Sequence, residues 1–245
     1  MSSIENQADF SQDIHQIWTE LYKKLWPQVE QYACQDYLDG AEILDLPKDC
    51  VPTVQFLNNA ITPRTGWQVE RTSVRYTDAV PWYKKFAQRI FLITNYMRSW
   101  DEIDWTPEPD MWHDVFGHLP FMVHKHYADL EDLFAPAFLA AKTDEQRDNI
   151  KRLAWYSTEF GLIREKGEIK LFGAGLISGS EELDNVIADT VPTRPFTIEN
   201  VIKHDKAVWE HNQILFVIDS IDELTEELNR YFAPIMAQEE PVVNL

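Results

Sequence analysis

Little in this sequence can cross-link it, anchor it or draw it to a polyanion. Cys34 and Cys50 are its only cysteines and neither belongs to a CxxC motif, which excludes a disulfide framework. Basic residues are scarce. Lys and Arg number 22 against 41 Asp and Glu, a formal net charge of −19. A surface that acidic repels phosphate backbones and anionic membranes, so nucleic acid and membrane are not expected partners. No apolar run approaches the ~18–20 residues that span a bilayer. The start, Met1-Ser2-Ser3-Ile4-Glu5-Asn6, lacks the basic and apolar regions of a signal peptide. Internal repeats, low-complexity blocks and Gly/Ser linkers are also missing. These absences point to one soluble, cytoplasmic domain over residues 1–245, with an ordered core at about 11–233.

What is present is apolar and aromatic. Hydrophobic residues make up 44% and aromatics 13%, with nine Trp, enough for a packed core and a pocket walled by rings. Ile14, Ile17, Trp18, Leu21, Tyr22 and Leu25 recur at spacings of three and four, predicting a helix capped by Ser11 or Asp9 and broken or kinked at Pro27. A second helix is expected over residues 28–43. Residues 67–71 alternate as a short strand, and 84–97 read as helical, although Ile90-Phe91-Leu92-Ile93-Thr94 also fits a strand. Thr106-Pro107-Glu108-Pro109 cannot continue a helix but can open one, which places His113 just after a helix start. Thr143 and Gln146 form a capping box for a helix running to about residue 165. A strand over residues 169–175 enters a glycine turn, residues 214–218 form a buried strand, and a second capping box at Ser220 and Glu223 opens a last helix to about Tyr231. The expected fold is mainly α, packed helices with a few short β-strands.

Chemistry concentrates at His113, His118 and Glu159. Two imidazoles and one carboxylate can hold a metal on one face and leave the other open, as in the facial triad of non-heme iron(II) oxygenases. Glu159 shares a helix face with Trp155, Tyr156, Leu162 and Ile163, where an unpaired carboxylate is costly; a salt bridge or a metal would relieve it. The histidines are five apart. On a regular α-helix that spacing is about 500°, leaving the side chains pointing about 140° apart. Convergence therefore requires a distortion near Gly117, such as a π-type bulge, or a helix that ends before His118. His124 and His126 flank Lys125 and read as surface residues. Asp114 reads as support for its neighbours, Glu108 and Asp110 as helix-start caps. The Gly173-Ala174-Gly175 stretch lacks the third glycine and βαβ setting of a dinucleotide site, and reads as a packed turn or a pocket wall.

Taken together, these segments resemble a known family. Thr106-Pro107-Glu108-Pro109-Asp110 with His113 and Gly117-His118-Leu119-Pro120 resembles the iron-binding signature of the pterin-dependent aromatic amino acid hydroxylases. Trp155-Tyr156-Ser157-Thr158-Glu159-Phe160-Gly161-Leu162 is similar to the second signature, and Gly173-Ala174-Gly175-Leu176-Ile177-Ser178 to the third. Thr65-Gly66-Trp67 and Asn95-Tyr96-Met97-Arg98 fall in the same order. The likeness extends over residues 14–232 and is nearest to the short bacterial phenylalanine 4-hydroxylases. It implies a single catalytic domain with no regulatory or tetramerisation domain, and the lack of a heptad tail makes a monomer the expectation. The resemblance implies Fe(2+) on His113, His118 and Glu159, tetrahydrobiopterin or a related reduced pterin as cofactor, and O₂ as co-substrate. It implies Arg98 as the fork for the substrate carboxylate, oriented by Asp110, and Thr106, Pro109, Trp155, Gly175 and Ser178 around the amino acid. Trp82 falls at the aromatic that stacks on the pterin, and Asp114 at an acidic position near it. Ala154 stands where many members carry Tyr, and Gly179 where many carry Ser. The expected activity is hydroxylation of phenylalanine to tyrosine. The rival expectations are a tryptophan or tyrosine hydroxylase of the same family, a zinc hydrolase with Asp114 as general base, and a non-catalytic pterin or amino-acid binder.

Overall fold

A long amphipathic helix sets one side of the molecule. In the computed structural model, which describes residues 10–75, 77–106 and 108–237, α1 spans Gln12–Tyr32. Ser11 caps it by accepting a hydrogen bond from Ile14 N; the alternative cap Asp9 lies outside the described residues, as does Pro107. Ile17, Trp18, Leu21, Tyr22, Leu25 and Val29 form its buried stripe. The expected break at Pro27 does not occur. The stripe continues past the proline to Val29, and core packing offsets one lost backbone bond. The helix ends instead at Ala33, which is extended, because Cys34 N turns to donate to Leu171 O at 2.9 Å. The stretch 28–43 is thus two helices, with α2 at Gln35–Leu44.

Then come α3 (Val54–Thr65), β1 (Gln68–Thr72), α4 (Ala79–Phe86) and β2 (Ile90–Thr94). Residues 84–97 are therefore not one helix. β2 pairs in parallel with β1, and α4 is the crossover between them. A π turn occupies His113–His118, followed by α5 (Lys125–Glu131), α6 (Phe134–Ala140) and α7 (Asp144–Ala154). Both halves of the Thr143–Gln146 capping box form. α7 passes into a second π turn, Trp155–Glu159, and stops there rather than near residue 165, since Leu162–Glu165 is strand β3.

β3 folds back on β4 (Glu168–Leu171) through Lys166-Gly167, a hairpin that the helical pattern of 143–163 concealed. β4 is shorter than expected, and Ala174–Ser178 is the short helix α8. α9 (Ser180–Ile187), β5 (Thr193–Pro195), α10 (Ile198–Val201), β6 (Leu215–Ile218) and α11 (Ile221–Met236) complete the chain. α11 extends one turn beyond Tyr231, and at its start Ser220 accepts from Glu223 N. The order β4-β3-β6-β5 makes a small mixed sheet, with β6 buried along its length. No described helix is long and apolar enough to cross a membrane.

The core bears directly on the first π turn. Trp112 stacks on Phe116 at 4.1 Å and meets Trp18 edge-on at 4.9 Å, so the turn's back is fastened to α1. Tyr37 on α2 donates its hydroxyl to Phe116 O at 2.7 Å. That bond satisfies a carbonyl within the irregular turn.

Candidate metal centre and ligand cavity

The two π turns deliver the three candidate ligands. A π turn closes on i→i+5 bonds, so residues five apart come to the same side. His113 and His118 accordingly face each other, with Nε2 to Nε2 at 3.1 Å. In the second turn Phe160 N bonds Trp155 O at 2.8 Å, and Glu159 ends that turn pointing at the histidines. Its oxygens lie 3.4 Å from His113 Nε2 and 3.3 Å from His118 Nε2. One donor atom from each of the three residues falls within 4.8 Å of the others.

Backbone contacts fix these turns. A methyl at Gly117 would lie 2.7 Å from Ala174 O, so α8 approaches the first turn only because position 117 has no side chain. A methyl at Gly173 would lie 2.3 Å from Glu159 O, so the glycine stretch is the packed cradle beneath the second turn. It is also a wall, because Gly175 and Ser178 line the adjoining cavity.

Hydrogen bonds select the tautomer. Ser178 Oγ donates to Ala174 O at 2.7 Å, leaving its lone pairs for His113 Nδ1 at 2.9 Å. Nδ1 therefore carries the proton, and Nε2 presents a lone pair to His118 and Glu159. A second imidazole nitrogen and a carboxylate converge on that lone pair. Such a set of donors can hold a cation between them, and its imidazole and carboxylate chemistry suits a first-row metal with open positions. His118 Nδ1 is buried with no partner among the described residues. Burial resists ionisation of Glu159, but the two imidazoles outweigh it and hold the carboxyl well below its usual range. Burial lowers His118, whereas at His113 the Glu159 carboxylate overcomes burial and raises it.

The ligands open onto a cavity of about 600 Å³. Arg98, Thr106, Pro109, Trp155, Gly175 and Ser178 line it, as do Trp82 and Asp114. Asp110 sits behind Arg98. Its carboxylate accepts from Arg98 Nε at 2.8 Å and Nη2 at 2.9 Å, and from the backbone N–H of Arg98 and His113 at 3.0 Å each. Asp110 thus caps the helix start and holds the arginine at once. Its burial opposes the charge, and Arg98 outweighs that and keeps the carboxyl ionised below its usual range. Trp82 has one face stacked on Phe86 at 4.2 Å. Trp155 donates Nε1–H to Asn212 Oδ1 at 2.9 Å. Asp114 Oδ2 accepts from Thr94 N at 2.7 Å, tying β2 to the first π turn, and burial pushes its carboxyl up to about 7.

The reading of His124 as a surface residue needs correction. It is half-buried, with Nε2 bonded to Asp36 O at 2.9 Å, while His126 is exposed and pairs with Asp36 Oδ2 at 3.0 Å. Sequence reasoning also passed over cavity residues. Glu131 is buried, faces the hydroxyls of Tyr127 and Thr158, and is pushed up to about 8 by burial. Lys151 lines the cavity too; it lies on the helical face of Ala154, Trp155 and Thr158, and that spacing was a usable signal. Lys206 comes from a long loop and left no such signal.

The sequence profile of the biopterin-dependent aromatic amino acid hydroxylase family matches residues 3–242. The phenylalanine-4-hydroxylase of Vibrio cholerae is 32% identical over 224 residues, spanning 91% of this chain and 76% of that one. The structure of phenylalanine hydroxylase from Chromobacterium violaceum bound to cobalt superposes with a TM-score of 0.88 at 27% identity, covering 97% of this chain and 87% of that one. A structure of the same Chromobacterium enzyme with iron(III) and 7,8-dihydrobiopterin gives 0.86 at 26% identity, covering 95% and 85%.

Proposed function

Because the chain belongs to the biopterin-dependent aromatic amino acid hydroxylases, we propose that it hydroxylates the ring of a free aromatic amino acid, phenylalanine to tyrosine, using O₂, a reduced pterin and ferrous iron. The observation that carries this reading is the convergence of His113, His118 and Glu159 on one side of a cavity that Arg98 also lines. Bound by those three residues, ferrous iron supplies with the pterin the O₂ activation that ring hydroxylation needs.

The side chains divide the remaining work. His113 and His118 offer imidazole lone pairs, and Ser178 keeps the His113 proton on Nδ1, away from the metal face. Glu159 contributes the single anionic donor. Arg98 takes the substrate carboxylate, since Asp110 engages Nε and Nη2 and fixes the plane of the guanidinium. Trp155, Pro109, Thr106 and Gly175 wall the amino acid, with Trp155 held by Asn212. Trp82 presents a ring face to the pterin, and Asp114 an acceptor for its N–H groups.

The test is aerobic turnover of iron-loaded protein with tetrahydrobiopterin and each of phenylalanine, tyrosine and tryptophan. Tyrosine from phenylalanine is the expected product. Iron-holding protein that hydroxylates none of the three overturns the reading.

A further inference from the structure

One corner of the cavity is cationic, in a chain whose net charge is −19. Lys151, Ala154, Trp155 and Thr158 share one face of α7 and its π extension, and all four line the cavity. Ala154 contributes only a methyl to this wall. Lys206, from the loop between α10 and β6, lines the same corner, with its ammonium 5.5 Å from the centre of the Trp155 ring. Lys151 pairs with Asp148 at 2.6 Å. Lys206 has no carboxylate within ion-pair distance among the described residues. It is half-buried, and burial first, then repulsion by Lys151, lowers its affinity for its proton, although Asp148 and Glu159 oppose this. Lys206 rests on the face of Trp155 with no carboxylate among the described residues to neutralise it, and its repulsion by Lys151 is relieved when an anion lies between the two ammonium groups.

The free amino acid has one carboxylate, and Arg98 with its Asp110 support is built for that group. The second anion must come from the other organic ligand. We propose that Lys151 and Lys206 form an anion site that receives a negatively charged substituent, a carboxylate or phosphate, on the side chain of the bound pterin. The inference rests on the pterin chemistry proposed above and narrows it to a class of pterin.

Two oxidised pterins that differ in charge test it without turnover. Binding of pterin-6-carboxylate and of neutral 6-hydroxymethylpterin is measured by calorimetry on the anaerobic ferrous protein at low and high salt. The carboxylate is expected to bind about tenfold more tightly at low salt, in line with a charge-assisted hydrogen bond, and to lose that advantage as salt rises. The preference should collapse in Lys151→Gln/Lys206→Gln and return in Lys151→Arg/Lys206→Arg. Equal affinities in the wild type overturn the inference, and so does a preference that survives the double Gln variant. If 4-carboxyphenylalanine instead gains over phenylalanine through the same lysines, the anion belongs to the amino acid and the pterin assignment falls. Failure of both pterins to bind overturns the proposed activity itself, and this site with it.

Discussion

Two histidine pairs stand close together in this chain, His113 with His118 and His124 with His126, and the structure brings each to a carboxylate. In the first pair, both Nε2 atoms face each other at 3.1 Å and share Glu159 at 3.3–3.4 Å. In the second, each ring nitrogen has its own oxygen on Asp36, the backbone carbonyl for His124 and the carboxylate for His126. In the second pair each Nε2 already has an oxygen partner of its own. The first gathers two Nε2 atoms and a carboxylate into a set that can hold a metal ion. Side-chain exposure follows the same division, at 7% for His118 and 44% for His126. What separates the two pairs is that the ring nitrogens of the first converge on one another and on a shared carboxylate.

Removing a converging donor should break the contrast most strongly. Glu159→Ala and His118→Ala are expected to lower iron affinity by at least about a hundredfold and abolish hydroxylation, read by metal analysis after dialysis and by product formation. Full iron occupancy in both would place the metal elsewhere. Next in size is Gly117→Ala. The added methyl meets Ala174 O at 2.7 Å, so the first π turn must move. Overpacking of this kind costs about 1–3 kcal/mol, and iron affinity should fall along with thermal stability. Ser178→Ala keeps every ligand and removes the acceptor that fixes the His113 tautomer, together with one hydrogen bond to Ala174 O within α8. A loss of about tenfold in iron affinity with little change in melting temperature is the expected result. Unchanged affinity would show that the tautomer is set without the serine.

The smallest effect should come from the other pair. His126→Ala is expected to leave iron content unchanged. The Asp36 hydrogen bond raises the His126 pKa above its ordinary value, so the pair stabilises the fold fully below the unfolded pKa of about 6.5 and is lost as pH rises through the folded one. The variant should therefore be destabilised by no more than about 1 kcal/mol at pH 5.5, the scale of an exposed ion pair, and be indistinguishable from wild type at pH 8.5. Denaturant melts at the two pH values decide this, and an equal loss at both would mean that packing, not charge, is what His126 contributes.

Much of the architecture was legible where the local pattern and the tertiary contacts agreed. The stripe of α1, the Thr143 capping box and the buried β6 are local features, and the structure keeps them. The pattern misled where distant contacts intervened. Pro27 was a weaker breaker than the Cys34 bond to Leu171, a contact across the molecule. Residues 90–94 joined β1 as a strand because five parallel partners were available there. The apolar run after Glu159 looked like one helix continuing, yet Leu162 and Ile163 pair with β4 and β6.

The sequence by itself determined the donor set, the arginine and its aspartate, and the acidic surface, because those are properties of residue types and their order. It also posed the spacing problem at His113 and His118 and named the remedy, a distortion near Gly117. Only the tertiary structure decided that the remedy is a π turn, since that turn depends on Trp18, Tyr37 and Ala174 packing around it from three other helices. The His113 tautomer depends on a serine far along the chain, and the cationic corner on a loop lysine meeting a helical one. Such convergences are set by the packing of separate elements, which local sequence pattern does not encode.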